Sequence, residues 1–387
     1  MAKTLATGGV HLMASVWPLV DATAEHYKHM AAEEMLVRNV SGQPFVSPFA
    51  PCFQPPHTQY NCSQAILDPF SNAARAYFFE KLKAGYVDNG VDVLWLDASE
   101  PQGSVPGQFY YAAGRDLSVG MAYPREIARA VHGGMLGLGK APLSLVRSAW
   151  AGSQALGAAL WSGDIESTWG ELALQIRAAQ SVALSGIHLW TTDIGGFRNG
   201  DATSEDFKEL LVRWFQFGSM CPLFRLHGAR LPNEPDSQCG NSAGPNEPWA
   251  FGPDAYARIA STMRLRESLR PYIDALLADA AKTGEPLLRP MAYVCSADAE
   301  CLSKAADAQF MLGPDLLVAP VTASRAREWS VYLPAGDSWQ HAFSGQVFDG
   351  GAWVRVPTTL DDFPLFHRGG STVSPFLLQA TALNREA

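Results

Sequence analysis

Val91-Asp92-Val93-Leu94-Trp95-Leu96-Asp97-Ala98-Ser99-Glu100-Pro101 is the stretch whose reading decides the fold. An apolar run this short that breaks off into a carboxylate and turn-forming residues reads as a buried strand of a parallel sheet, with its C-terminal end carrying the polar groups. The same pattern recurs on both sides, at Val10–Val16, Leu143–Arg147, Ala158–Leu160, Ile187–Thr191 and Leu223–Leu226. Helical signals lie between these runs. Ser71 is placed to cap a helix over Ser71–Asn89, in which Phe78, Leu82 and Tyr86 recur at helical spacing. Further helices are expected over Thr168–Ala183, over Ser204–Phe217 with Phe207, Leu210, Leu211 and Trp214 on one stripe, and over Pro253–Lys282, kinked at Pro271 and ended by Gly284. Strands alternating with helices indicate an α/β domain of (β/α)8 TIM-barrel type, spanning residues 1–290.

Beyond Pro290 the pattern changes. Gln309–Leu312, Leu316–Val321, Trp329–Leu333, Ala352–Val356 and Phe363–His367 are short strand-like runs separated by Gly, Pro and Asp turns, which predicts a small all-β sandwich over 291–387. Two long connections, Asn39–Pro69 and Leu231–Pro253, are rich in Pro, Asn and Gly, as rims and lids of functional sites are.

Composition limits the function. The 387 residues are 47% hydrophobic and 17% charged, with 34 Gly and 26 Pro, a composition that packs a core and turns often rather than staying disordered. A net charge of −9 and the lack of a long Lys/Arg run supply no field for phosphate backbones or anionic lipid, so neither nucleic acid nor membrane is expected as a partner. No window approaches the ~20 apolar residues of a membrane helix, and the first residues are too poor in apolar side chains for a signal peptide. The six cysteines form three local pairs, Cys52/Cys62, Cys221/Cys239 and Cys295/Cys301, which either close short disulfide loops or remain buried thiols. Together with the sequons Asn39-Val40-Ser41 and Asn61-Cys62-Ser63 they lean toward an extracytoplasmic setting.

A parallel barrel builds its active site at the C-terminal ends of its strands. Four such ends carry chemistry: Asp97 with Glu100; Trp161-Ser162-Gly163-Asp164; Trp190-Thr191-Thr192-Asp193 followed by Gly195 and Gly196; and Arg225-Leu226-His227-Gly228. Each has a plainer reading. Asp97 can cap the next turn, Asp164 can sit as a charge at the N-terminus of the following helix, Asp193 can stabilise its own turn, and a lone His is often structural. Taken together, carboxylates, tryptophans, an arginine and a histidine gathered at one set of strand ends suit a polyol. Glycosidic hydrolysis requires two carboxyl groups, one to protonate the leaving oxygen and one to attack or to activate water. Asp97 and Asp164 are the natural pair, with Arg147, Trp161, Trp190, Asp193 and His227 to hold the sugar. A metal-dependent barrel hydrolase would need clustered His, Asp and Glu ligands, and only one His stands among these strand ends, so no metal or organic cofactor is expected.

The order of the motifs carries a family likeness. Ser15-Val16-Trp17-Pro18 is followed by Trp95 to Pro101, Arg147-Ser148-Ala149-Trp150-Ala151-Gly152-Ser153-Gln154, Trp161 to Asp164, Trp190 to Phe197, Phe224 to Gly228, Leu269-Arg270-Pro271-Tyr272, Pro286 to Pro290 and Phe363 to Gly370. The chain resembles the α-glucosidases and α-xylosidases of glycoside hydrolase family 31 along nearly its whole length. The resemblance implies a retaining mechanism on terminal α-glucosyl or α-xylosyl residues of oligosaccharides, with Asp97 as nucleophile and Asp164 as acid and then base, their carboxyl groups about 5–5.5 Å apart. It also implies that Arg147, Trp161, Asp193 and His227 line the subsite of the terminal sugar, and Trp17, Trp95, Glu100 and Trp190 join them as candidate substrate-binding residues. The variant Trp95-Leu96-Asp97-Ala98-Ser99-Glu100-Pro101 leans toward the α-xylosidases. The match begins near the third barrel strand and yields about six strand candidates where a closed barrel has eight, so an N-terminally incomplete barrel is expected. The rival expectation is an inactive or fragmentary relative that at most binds sugar.

Overall fold

The computed structural model describes residues 2–47, 51–54, 58–61, 63–100, 106–236, 240–371, 373 and 376–377. They fall into two compact units, residues 1–161 with 236 and 240, and residues 162–235 with 241–387.

In the first unit, strands β1 (Met13–Val16), β2 (Val93–Leu96), β3 (Ser144–Val146) and β4 (Ala158–Trp161) lie side by side, all parallel. Val16 stands opposite Leu96, Leu96 opposite Val146, and Val146 opposite Leu160. This register positions the chemistry. Side chains alternate along a strand, so the residues one step further on, Trp17, Asp97, Arg147 and Trp161, emerge as the next row, on the same side as Ser15, Trp95, Leu145 and Ala159. Helices α1 (Asn72–Gly85) and α2 (Tyr123–Gly137) belong to the same core, where Leu82, Tyr123, Ile127, Val131 and Met135 join Val16, Leu94, Leu96 and Val146. The sequence reading anticipated α1 but not α2, whose start carries no Ser, Thr, Asp or Asn cap and is marked by Pro124 and by Glu126 in its first turn. The long connection 39–69 carries short strands of its own, such as Gln64–Ile66, which pairs with Leu19–Asp21.

The second unit continues the alternation with α3 (Trp169–Leu184), β5 (Trp190–Thr191), α4 (Glu205–Ser219), α5 (Pro253–Ser268) and α6 (Arg270–Thr283). The Ser71, Thr168 and Ser204 side chains accept backbone N–H groups at the starts of α1, α3 and α4, each worth about 1 kcal/mol. The helix expected over Pro253–Lys282 is divided at Leu269, just before Pro271, and ends at Gly284 in the left-handed conformation, φ +77°. The strand expected at Leu223–Leu226 reduces to one parallel bridge between Ile194 and Leu226. Among the described residues no helix is long and apolar enough to cross a membrane.

The C-terminal β-domain is two packed sheets. One has the order β6 (Leu288–Pro290), β7 (Phe310–Leu312), β8 (Leu316–Val318), β13 (Leu365–Arg368), β10 (Ser338–His341), β11 (Val347–Asp349), and the other pairs β9 (Glu328–Leu333) with β12 (Ala352–Pro357). Val331, Leu333 and Val356 from one sheet share a core with Met311, Leu317, Trp339 and Phe366 from the other. The six-stranded sheet takes in Leu288–Pro290, ahead of the boundary expected at 290, because Leu288 pairs with Leu312. Cys295 and Cys301 form a disulfide. Cys221 is a buried free thiol, the second of the two outcomes open to it. Cys62 and Cys239 lie outside the described residues, as does the side chain of Cys52.

Candidate active site

The row left by the first unit's register converges on Asp97. The Asp97 N–H still donates to Val16 O at 3.1 Å, so the residue leaves the sheet while tied to β1. Its carboxylate then faces three donors. Ala98 N–H donates to Oδ1 at 2.8 Å, Arg147 Nη1 stands 3.4 Å from Oδ1, and the Trp17 indole donates to Oδ2 at 3.1 Å. Ala98 is buried with φ +50°, a left-handed conformation uncommon for a residue with a Cβ, in the turn that follows β2. Glu100, expected among the sugar-binding residues, directs its carboxylate to Arg147, whose Nε donates to Oε1 at 2.6 Å with Nη2 on the same oxygen, and to the Ser148 hydroxyl. Arg147 is thereby held between two carboxylates. Trp95, one row below Asp97, packs edge-on against the buried Trp161, ring centroids 5.5 Å apart.

The second unit brings Asp164, Trp190, Asp193 and His227 together with residues the sequence reading did not assign. Gly163 takes φ +74° beside Asp164, and the Asp164 carboxylate pairs with Arg198 Nη2 at 3.6 Å. The segments around Ile165 and Phe197 are zipped: Phe197 N donates to Ile165 O at 2.8 Å and Ser167 N to Arg198 O at 2.9 Å. Gly196 is obligatory here, since a Cβ would lie 2.6 Å from Glu166 O and the backbone has φ +76°. Ser162 Oγ accepts the Asp193 N–H at 3.1 Å, and the Trp214 indole donates to the Thr192 hydroxyl at 3.3 Å.

Asp193 is fully buried in an ion pair with Arg225. Burial pushes its carboxyl up to about 7 against the opposing pull of Arg225, with Asp164 raising it further and Arg230 lowering it. Among the described residues nothing hydrogen-bonds the second Asp193 oxygen or the indole N–H of the buried Trp190, and a buried polar atom left so ordinarily costs about 1–3 kcal/mol. His227 stacks on Phe197 at 5.4 Å. Burial, with the cations Arg225 and Arg230, lowers its imidazole to about 4, so it is neutral around pH 7 and offers one donor and one acceptor.

Arg225 was recognisable in outline, as a cation two residues before His227 at a strand end. Arg198 and the Trp17–Asp97 contact had no sequence signal, because both depend on which residues the register places side by side. No group of three or more His, Cys, Asp or Glu is arranged to hold a metal ion among the described residues.

Comparison with known proteins agrees with this architecture. The glycosyl hydrolases family 31 TIM-barrel domain matches residues 1–276, and the family 31 C-terminal domain matches residues 284–373. An α-xylosidase of Saccharolobus solfataricus is 32% identical over 381 residues, covering 96% of this chain and 47% of the relative. A sulfoquinovosidase of Escherichia coli is 29% identical over 371 residues, covering 94% and 50%. The crystal structure of a family 31 α-xylosidase from a soil metagenome, complexed with xylose, superposes with a TM-score of 0.91 at 38% identity, covering 97% of this chain and 55% of that one. The chain thus spans about half the length of the relatives it matches.

Proposed function

Because the chain belongs to glycoside hydrolase family 31, we propose that it is a retaining α-glycosidase, with Asp97 as nucleophile and Asp164 as general acid and base. One observation carries this reading: the strand-end carboxylate of Asp97 is met at once by a backbone N–H, an indole N–H and a guanidinium. Donors so arranged fix a carboxylate's orientation and favour its negative charge, which a nucleophile needs and a simple turn cap does not. In the first step an Asp97 oxygen bonds to the anomeric carbon as the bond to the leaving oxygen breaks, and that oxygen takes the Asp164 proton. In the second, water attacks the anomeric carbon, Asp164 takes a proton from that water, and Asp97 leaves as a carboxylate.

Asp193, with one oxygen turned away from Arg225, and neutral His227 suit hydroxyl groups of the terminal sugar. The similarity to two α-xylosidases, together with Trp95-Leu96-Asp97-Ala98-Ser99-Glu100-Pro101, supports an α-xylosyl over an α-glucosyl substrate. The Cys295–Cys301 disulfide supports an extracytoplasmic setting.

Hydrolysis of aryl α-xyloside and aryl α-glucoside by the purified chain, beside Asp97→Asn and Asp164→Asn, tests the proposal. Turnover should be abolished by Asp97→Asn and fall by about 10²–10⁴-fold in Asp164→Asn for a poor leaving group, with the xyloside preferred. Folded protein that binds sugar without turning over either glycoside would instead establish a non-catalytic sugar-binding relative.

A further inference from the structure

Arg230 is a fully buried cation that directs its hydrogen bonds to neutral acceptors. Nε donates to Asn246 Oδ1 at 2.7 Å, Nη1 to Gly196 O at 2.7 Å, and Nη2 to Ile194 O at 2.9 Å and His227 O at 3.3 Å. Its guanidinium lies over the Phe207 ring at 5.1 Å. Three glycines leave the room it occupies, since a Cβ on Gly195, Gly200 or Gly228 would come within 2.9, 2.9 and 2.6 Å of the guanidinium nitrogens. A buried arginine costs several kcal/mol of desolvation unless its donors are filled, so a site that fills them with backbone carbonyls from two separate strand ends is built around the cation.

We infer that Arg230 is a positioning residue that locks the 194–196 turn to the carbonyl of His227, and so sets where Asp193 and His227 present themselves to a ligand. The kinetic consequence rests on the sugar-binding reading of those two residues; the local geometry does not. The same cation also acts electrostatically. Among the described residues, Arg225, Arg230 and Asp164 bear on Asp193, and Arg225 and Arg230 on His227.

The test compares the full chain with Arg230→Met, which removes the charge, Arg230→Lys, which keeps the charge and loses the planar fork, and Asn246→Ala, which removes one acceptor. The first readout is the titration of the His227 ring by NMR, with its resonance assigned by its loss in His227→Asn; it needs no turnover. The His227 midpoint should rise in Arg230→Met and stay low in Arg230→Lys. The second readout is kinetic. KM for the aryl glycoside should rise about tenfold in Arg230→Lys and less in Asn246→Ala, with kcat less affected, and the acid limb of the kcat/KM profile should move to higher pH in Arg230→Met as Asp193 becomes harder to ionise. Folded Arg230→Met with an unmoved His227 midpoint, or Arg230→Lys with unchanged KM, would overturn the inference. If Arg230→Met does not fold, the KM values of Arg230→Lys and Asn246→Ala decide. A wild-type chain without turnover would sink the hydrolase reading alone, and the His227 titration would still judge Arg230.

Discussion

His227 shows how the fold sets a protonation state that the bare residue does not have. Its imidazole is lowered to about 4 by burial and by Arg225 and Arg230, whereas an unfolded histidine titrates near 6.5. Below about pH 6.5 the unfolded chain therefore binds a proton that the folded chain refuses, and this contribution to stability is present above pH 6.5 and lost as the pH falls toward 4. His227→Asn should remove that component, so the melting temperature of the variant should fall less than that of wild type between pH 6.5 and 4.5; parallel curves would contradict it. Much at this scale was legible in advance. Asp97, Asp164 and Asp193 each follow an apolar run, and the structure places each at a strand end or in the turn after one, whereas the run before His227 forms a single bridge. Their partners were not legible. Glu100 faces Arg147 because two parallel strands lie in one particular register, and no local pattern encodes a pairing across 47 positions.

At the scale of elements, local chemistry was the better guide. Ser71, Thr168, Ser204 and Gly284 act as the caps their residue types suggest. Helix α2 lacks a side-chain cap, so its start is signalled only by Pro124 and Glu126 and is held by burial of Tyr123 and Ile127. The run at Leu223–Leu226 looked like a strand but follows helix α4 so closely that a single bridge is all it forms. The turn into β4 makes a sharper prediction. Gly157 has φ +67°, its carbonyl accepts the Ser144 N–H at 3.0 Å, and a Cβ there would come 2.0 Å from Pro142 O. Neither the backbone angle nor a rigid proline carbonyl can yield cheaply. Gly157→Ala should lose about 3 kcal/mol in denaturant unfolding, against about 1 kcal/mol or less for an ordinary exposed glycine. A loss below 1 kcal/mol would mean that the turn is softer than its geometry implies.

For the whole molecule, the sum of charges bears on the choice among related sugars. A net charge of −9 repels anions at long range but does not act on a neutral glycoside. For an aryl α-xyloside or α-glucoside, kcat/KM should be flat between low and moderate ionic strength. A kcat/KM that climbs with salt on a sulfonated sugar, with faster turnover than on the neutral ones, would overturn the proposed α-xylosyl preference. Domain order was readable because the change from helix-spaced to strand-spaced apolar residues near Pro290 is a change of period, and the sandwich that follows has the strands predicted with β6, β10 and β11 in addition. The row formed by Trp17, Asp97, Arg147 and Trp161 also bears on how such a chain tolerates insertion and deletion. One residue gained or lost inside Val93–Leu96 would turn Asp97 to the opposite side of the sheet and take from it the Trp17 and Arg147 donors of the neighbouring strands together. Residues added beyond the row leave every member of it in place. Length variation is therefore best tolerated in the loops that follow the row, which can be remodelled while the Asp97 carboxylate keeps its address.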